Sequence, residues 1–133
     1  PDWTTITKDN FEDYCNYDKH DYTAIICGKI SNLTVFNIDD TNIYKLLVLE
    51  CPELSKCPTV KTTRGYHIYF EYNKSLKTMS DCYIDLKNKI SIHNDNSFVI
   101  APPTIYNAFE YRYTGYSRHL RPVPEYIVNK IHL

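Results

Sequence analysis

Val35-Phe36-Asn37-Ile38-Asp39-Asp40 alternates apolar and polar side chains behind a turn, the period-two pattern of a half-buried β-strand. Phe36 and Ile38 then point into a core, while Asn37 and Asp39 project from the opposite face. Two further stretches repeat the pattern. Tyr66-His67-Ile68-Tyr69-Phe70 sets His67 and Tyr69 against Ile68 and Phe70, and Tyr83-Ile84-Asp85-Leu86-Lys87 puts Asp85 and Lys87 on one face. Side by side in one sheet, these strands would bring Asn37, Asp39, His67, Asp85 and Lys87 together as a metal and phosphate site.

Outward from this centre, Tyr22–Cys27 is a compact apolar run that reads as a buried strand, and the turn residues Gly28–Asn32 predict a hairpin joining it to Leu33–Asp39. Asp40 or Thr41 is a good N-cap for a helix to about Glu50, with Ile43, Leu46 and Leu47 at helical spacing and Pro52 as its stop. Thr7 or Asp9 would cap a short helix through Tyr14. Thr59–Thr62 reads as a short strand that turns through Thr63-Arg64-Gly65 into the His67 strand. Asn73–Asp81 reads as a loop, and Asn88–Asn96 as a loop or a poorly ordered hairpin. Ser97–Ala101 is a strand stopped by Pro102-Pro103, Phe109–Tyr113 is the last strand, and Pro124 opens a terminal helix containing Tyr126, Ile127 and Ile131. Adjacent strands mixed with few helices give an α+β class with a partly antiparallel sheet and flanking helices.

The bulk properties narrow the function classes only slightly. A chain of 133 residues suits one domain with its own core. The formal net charge of -1 offers no global attraction to nucleic acid. Five cysteines without CxxC spacing read as reduced intracellular thiols rather than a zinc site. No signal peptide or membrane-length apolar run is present, so a soluble intracellular chain without membrane partners is expected. The missing initiator Met and the stop at Leu133 predict a domain, residues 1–133, cut from a longer protein.

Four blocks stand in order along the chain: Ile26-Cys27-Gly28-Lys29-Ile30-Ser31 leading into Val35–Asp39, Lys61-Thr62-Thr63-Arg64-Gly65-Tyr66-His67-Ile68-Tyr69-Phe70, Ile84-Asp85-Leu86-Lys87, and Phe98-Val99-Ile100-Ala101-Pro102-Pro103-Thr104. Together they resemble the bifunctional primase/polymerase (prim-pol) domain of the archaeo-eukaryotic primase superfamily, as found at the N-terminus of primase–helicase proteins of large DNA viruses, plasmids and phages. The resemblance covers about residues 22–131. It implies an RRM/ferredoxin-like sheet and nucleotidyl transfer from NTPs or dNTPs on a single-stranded DNA template. It also implies Mg²⁺ or Mn²⁺ as cofactor and a fused hexameric helicase.

The family pattern is an acidic-x-acidic strand, a histidine on a second strand and an acid on a third. Carried over, it falls on Asn37 and Asp39, on His67 and on Asp85, with Asp39, Asp85 and Asn37 as metal ligands. His67, Arg64 and Lys87 would bind the triphosphate, Arg64 bidentately from its turn. The sequence departs from the pattern at Asn37, where an amide replaces a carboxylate and removes a charge. Asp40 is no substitute, because its parity sends it to the other face. By residue type alone, Asp39 and Asp85 read equally as solvated acids, His67 as a structural histidine, and Arg64 and Lys87 as solvated cations. The competing functions are a non-catalytic nucleotide or single-stranded DNA-binding module of the same fold, and a plain interaction domain. A strand-nicking initiator would want a second metal-binding histidine beside His67.

Overall fold

A computed structural model describes residues 22–115 and 117–132 of the chain. The helix expected near Tyr14, and Cys15, lie outside the described residues.

The chain runs through β1 (Thr23–Ile26), a 3₁₀ turn at Lys29–Ser31, β2 (Thr34–Ile38) and α1 (Thr41–Glu50). A second 3₁₀ turn (Pro52–Lys56) leads into β3 (Thr59–Lys61), β4 (Tyr66–Phe70), β5 (Met79–Ile84), β6 (Asn88–His93) and β7 (Phe98–Ala101). The last elements are β8 (Ile105–Tyr106), β9 (Phe109–Glu110), β10 (Arg112–Thr114), α2 (Glu125–Val128) and β11 (Ile131–His132). Among the described residues the main sheet has the order β10-β3-β4-β2-β6-β5-β11, with every neighbouring pair antiparallel. The class is α+β, with few helices.

Strand parity divides the sheet into two chemically different faces. Phe36 and Ile38 of β2, Ile68 and Phe70 of β4, and Ile90 and Ile92 of β6 are buried in one cluster with Leu47 of α1 and Ile127 of α2. Phe36 and Phe70 meet edge-on at 4.7 Å between ring centroids. α1 starts where the sequence says it should: the Asp40 carboxylate accepts from the backbone N–H of Asn42 (2.8 Å) and of Ile43 (3.3 Å). The opposite face carries Val35 and Asn37 of β2, His67 and Tyr69 of β4, and Ser91 and His93 of β6. Its apolar half is covered by β1 and β7, through a second cluster of Cys27, Val35, Val60, Tyr69 and Val99.

Ile131 falls in β11, the last strand, and not in the terminal helix; β5 begins at Met79, inside a segment read as a loop; and three further expectations need correction. β1 does not form a hairpin with β2. It pairs with β7 in a separate two-stranded layer, and only the Gly28–Leu33 bridge links the segments around the 3₁₀ turn. The reason is local. Gly28 at φ 91° and Asn32 at φ 50° fold the connection so tightly that β1 is thrown across the sheet instead of beside β2. Second, Asn88–His93 is not a loop but β6, central in the sheet and paired with both β2 and β5. Third, Asp85-Leu86-Lys87 does not extend β5. Asp85 (φ 59°) and Leu86 (φ 62°) adopt left-handed backbone and turn the chain into β6. The alternation of this stretch imitates a strand because a short apolar-polar turn has the same period.

The described cysteines, 27, 51, 57 and 82, are all free and buried. Burial pushes the Cys27 thiol up to about 12 and the Cys57 thiol up to about 11. No helix among the described residues is long and apolar enough to cross a membrane.

Candidate functional site

The site is built on the polar face where β4, β2 and β6 lie side by side. In register, Asn37 faces His67 across one ladder and Ser91 across the other. Asp39 follows at the exposed end of β2. Arg64 reaches this end because of Gly65. A side chain there would place its Cβ 1.9 Å from the Ile38 carbonyl oxygen, so only glycine lets the turn press against β2. The turn closes on itself through Thr62, whose Oγ1 accepts from the Gly65 N–H at 3.0 Å. Lys61 braces it by donating to the Thr62 (3.2 Å) and Gly65 (3.1 Å) carbonyls.

Two clefts open here. One of about 520 Å³ is lined by Asn37, Asp39, Arg64, His67, His93 and Tyr106 among others, a size that accommodates a nucleotide. A neighbouring cleft of about 340 Å³ adds Asp40, Asp81, Lys89 and Ser91.

His67 is only 8% exposed and its Nδ1 has no hydrogen-bond partner. Burial, with a smaller contribution from His93, holds its pKa down to about 3, so the ring is neutral at physiological pH. His93 is likewise held down by burial, opposed by the nearby Asp39 carboxylate. Its Nδ1 meets the Ser97 hydroxyl at 2.7 Å. A neutral His67 cannot neutralise phosphate charge, but it can exchange a hydrogen bond with a ligand in the cleft. The charge must come from Arg64, which makes no ion pair among the described residues.

Asn37, Asp39, His67 and Arg64 are therefore brought together as the sequence pattern requires. Asp85 and Lys87 are not. Asp85 sits at the β5–β6 turn, where its N–H donates to the Lys130 carbonyl (2.9 Å) and its carboxylate pairs with the Lys130 ammonium at 3.4 Å. Lys87 pairs with Glu50 at the end of α1, at 3.4 Å. Neither residue lines either cleft. Ser91, His93 and Lys89 went unnoticed in the sequence, although Lys89-Ile90-Ser91-Ile92-His93 alternates as cleanly as β2 does.

The domain is α+β, with an antiparallel sheet whose polar face carries a cleft large enough for a nucleotide. The sequence matches the family described as bifunctional DNA primase/polymerase, N-terminal (Prim-Pol) over residues 2–126, and the chain belongs to that family. A search of curated proteins finds no match.

Prim-Pol domains are in general metal-dependent, and the donors present here fit a hard divalent ion poorly. Among the described residues Asp39 is the one acid lining the larger cleft. Asp40 is engaged as the cap of α1, and Asp81 pairs with Lys89 at 3.5 Å. Among the described residues no group of three or more His, Cys, Asp or Glu is arranged to hold a metal. Asn37 and Ser91 offer only neutral oxygens, whereas Mg²⁺ sites lean on carboxylates.

Proposed function

We propose that this Prim-Pol domain serves DNA replication by binding nucleoside triphosphate and single-stranded DNA without transferring nucleotide. The observation that carries this reading is the row His67–Asn37–Ser91, three paired strand positions at the centre of the face without one carboxylate. Phosphoryl transfer relies on metal ions to neutralise developing charge on the phosphate oxygens. Among the described residues Asp39 is the one unengaged carboxylate at the clefts, too few to assemble them. The face can still hold a triphosphate through the Arg64 guanidinium fork and a hydrogen bond at His67. Binding then depends on a protein cation and not on a metal.

The competing reading is metal-dependent transfer, as the family name suggests. Asp39 favours it, and it requires Asp40 or Asp81 to leave its present partner.

The test is incorporation of labelled NTPs and dNTPs on primed and single-stranded templates with Mg²⁺ or Mn²⁺, beside calorimetric nucleotide binding. The natural chain is expected to incorporate nothing and to bind nucleotide as well in EDTA as in Mg²⁺. Asn37→Asp combined with Ser91→Asp should make nucleotide binding metal-dependent, and Arg64→Ala should weaken it at least about tenfold. Incorporation by the natural chain that Asp39→Ala removes would establish the transferase instead. Failure to bind nucleotide in either buffer would reject both readings.

A further inference from the structure

Beyond the cleft, the same face of the sheet continues over β3 to β10, and there its chemistry changes from polar to aromatic. β8 and β9 form a short hairpin turned by Asn107 (φ 50°) and Ala108 (φ 63°), both left-handed. It leaves Ile105 61% and Tyr106 45% exposed, with Tyr106 lining the larger cleft. Tyr111 follows on the cleft wall, with its hydroxyl 3.4 Å from the Thr63 hydroxyl of the Arg64 turn.

Tyr113 on β10 is opposite Val60 of β3, which is itself opposite His67 of β4. It thus continues the row of Asn37 and His67 outward, two strands beyond His67 and roughly 10 Å away at ordinary strand spacing. Tyr113 is 46% exposed and stands edge-on to the buried Tyr69 at 6.2 Å. Between Tyr69, Tyr113 and Arg118 lies a second notch of about 290 Å³, also lined by Pro58, Ser117 and Leu120. No carboxylate lines this notch, and Arg118 makes no ion pair among the described residues; its guanidinium donates only to the neighbouring Ser117 carbonyl, at 3.3 Å.

Half-exposed tyrosines held by neighbouring rings, Tyr106 by Tyr22 at 5.9 Å and Tyr113 by Tyr69, keep part of each ring open for a partner to stack on. Paired with unneutralised guanidinium groups, they match the needs of a single strand, which presents base faces and phosphates at short intervals. A duplex hides its base faces, and an acidic peptide has none. We infer that single-stranded DNA runs along this strip, with one base against Tyr106 at the cleft, another against Tyr113, and a phosphate on Arg118. The inference rests on the nucleotide and single-strand reading above and adds the track that the strand follows. Glu110 is the acid on the hairpin, paired in register with Ile105.

Fluorescence anisotropy with a labelled oligothymidylate, in parallel with nucleotide calorimetry, tests it on the full chain. Tyr113→Ala and Arg118→Ala should each weaken oligonucleotide binding by about tenfold, a loss in the range of one stacked base or one charged contact. Arg118→Ala should also reduce the salt dependence, with the slope of log K against log salt falling by about 0.7. Tyr113→Phe keeps the aromatic face and should bind like the natural chain. Nucleotide affinity should be unchanged in all three, since none lines the cleft, and unchanged thermal melts show that folding is intact. If the variants bind the oligonucleotide normally, or if duplex binds as tightly as single strand, the strip is overturned while the nucleotide titration still reports on the cleft. If the natural chain binds no oligonucleotide, the track falls; loss of nucleotide binding as well would remove the reading beneath it.

Discussion

Withdrawing an imidazole from water disfavours its cation, and at His67 this lowers the folded-state pKa to about 3 against an ordinary value of 6.5. The unfolded chain therefore takes up a proton at this position before the folded one does, and stability falls as pH drops below the unfolded value. Between pH 7.5 and pH 5 the loss from His67 should be about 2 kcal/mol. His93, shifted the same way, adds to it in direction. Urea titrations at the two pH values check this. His67→Phe should flatten the dependence, and an unchanged dependence in that variant would place the acid-sensitive group elsewhere. At this scale the sequence was informative where strand parity governs. Asn37, Asp39 and His67 fall on one face because β2 and β4 are regular strands. Asp85 was misplaced because parity holds only while the chain stays extended, and a left-handed φ at two successive residues ends that. Ser91, hidden in a stretch read as a loop, is the residue that most changes the chemistry.

The element that best shows this limit is the β5–β6 turn. Leu86 holds φ 62° and is 72% exposed, so the side chain has little packing to offset a conformation that costs an L-residue about 1–2 kcal/mol. Asn tolerates that conformation, so Leu86→Asn should stabilise the protein by about 1 kcal/mol and raise its melting temperature by roughly 4 °C. A lower melting temperature would mean that the leucine packs better than its exposure suggests. The other end of β6 is fixed by burial of polar groups. Asn94 is fully buried; its Oδ1 accepts from the Thr34 hydroxyl (3.0 Å) and its Nδ2 donates to the carbonyls of Asn73 (2.9 Å) and Leu76 (2.8 Å). Asn94→Ala strips three buried groups of partners at once and should cost about 3 kcal/mol, read as a lower urea midpoint. Nothing in the sequence marks Asn94 as different from the neighbouring asparagines. Turn-prone composition at Asn94-Asp95-Asn96 instead drew the whole segment toward a loop reading, against the alternation of Lys89–His93. α1, by contrast, was legible at both ends, because its Asp40 cap and Pro52 stop are local signals.

On the scale of the molecule, local pattern could supply strands but not their order. β2 lies between β4 and β6, and β1 joins β7 across more than seventy residues of chain, as in the pair Thr23–Ala101. The predicted β1–β2 hairpin failed on that long-range pairing. The resulting architecture is two layers held by different means. The main sheet is packed against α1 and α2 by large aromatic and aliphatic side chains, whereas β1 and β7 rest on the polar face through a smaller cluster that includes Cys27, Val35, Tyr69 and Val99. One polar tie strengthens the smaller layer. Thr104, 1% exposed, accepts from the Thr23 N–H at 2.7 Å and donates back to the Thr23 carbonyl at 3.4 Å, joining the start of β1 to the segment after β7. Regions with less buried apolar contact open at lower free energy than the global transition. The β1–β7 layer should therefore open as a unit, and because Phe98, Val99 and Ile100 line the larger cleft, opening widens the cleft as well. Thr104→Val keeps the side-chain shape but removes the hydroxyl that ties the exposed Thr23 backbone to the segment after β7, at a cost of about 1 kcal/mol. Native-state hydrogen exchange of this variant should show the amides of β1 and β7 exchanging together at least about fivefold faster, while those of β2, β4 and β6 keep their protection. Uniform acceleration across both layers would show instead that the molecule opens as one cooperative body, and that the cleft has no independent freedom to widen.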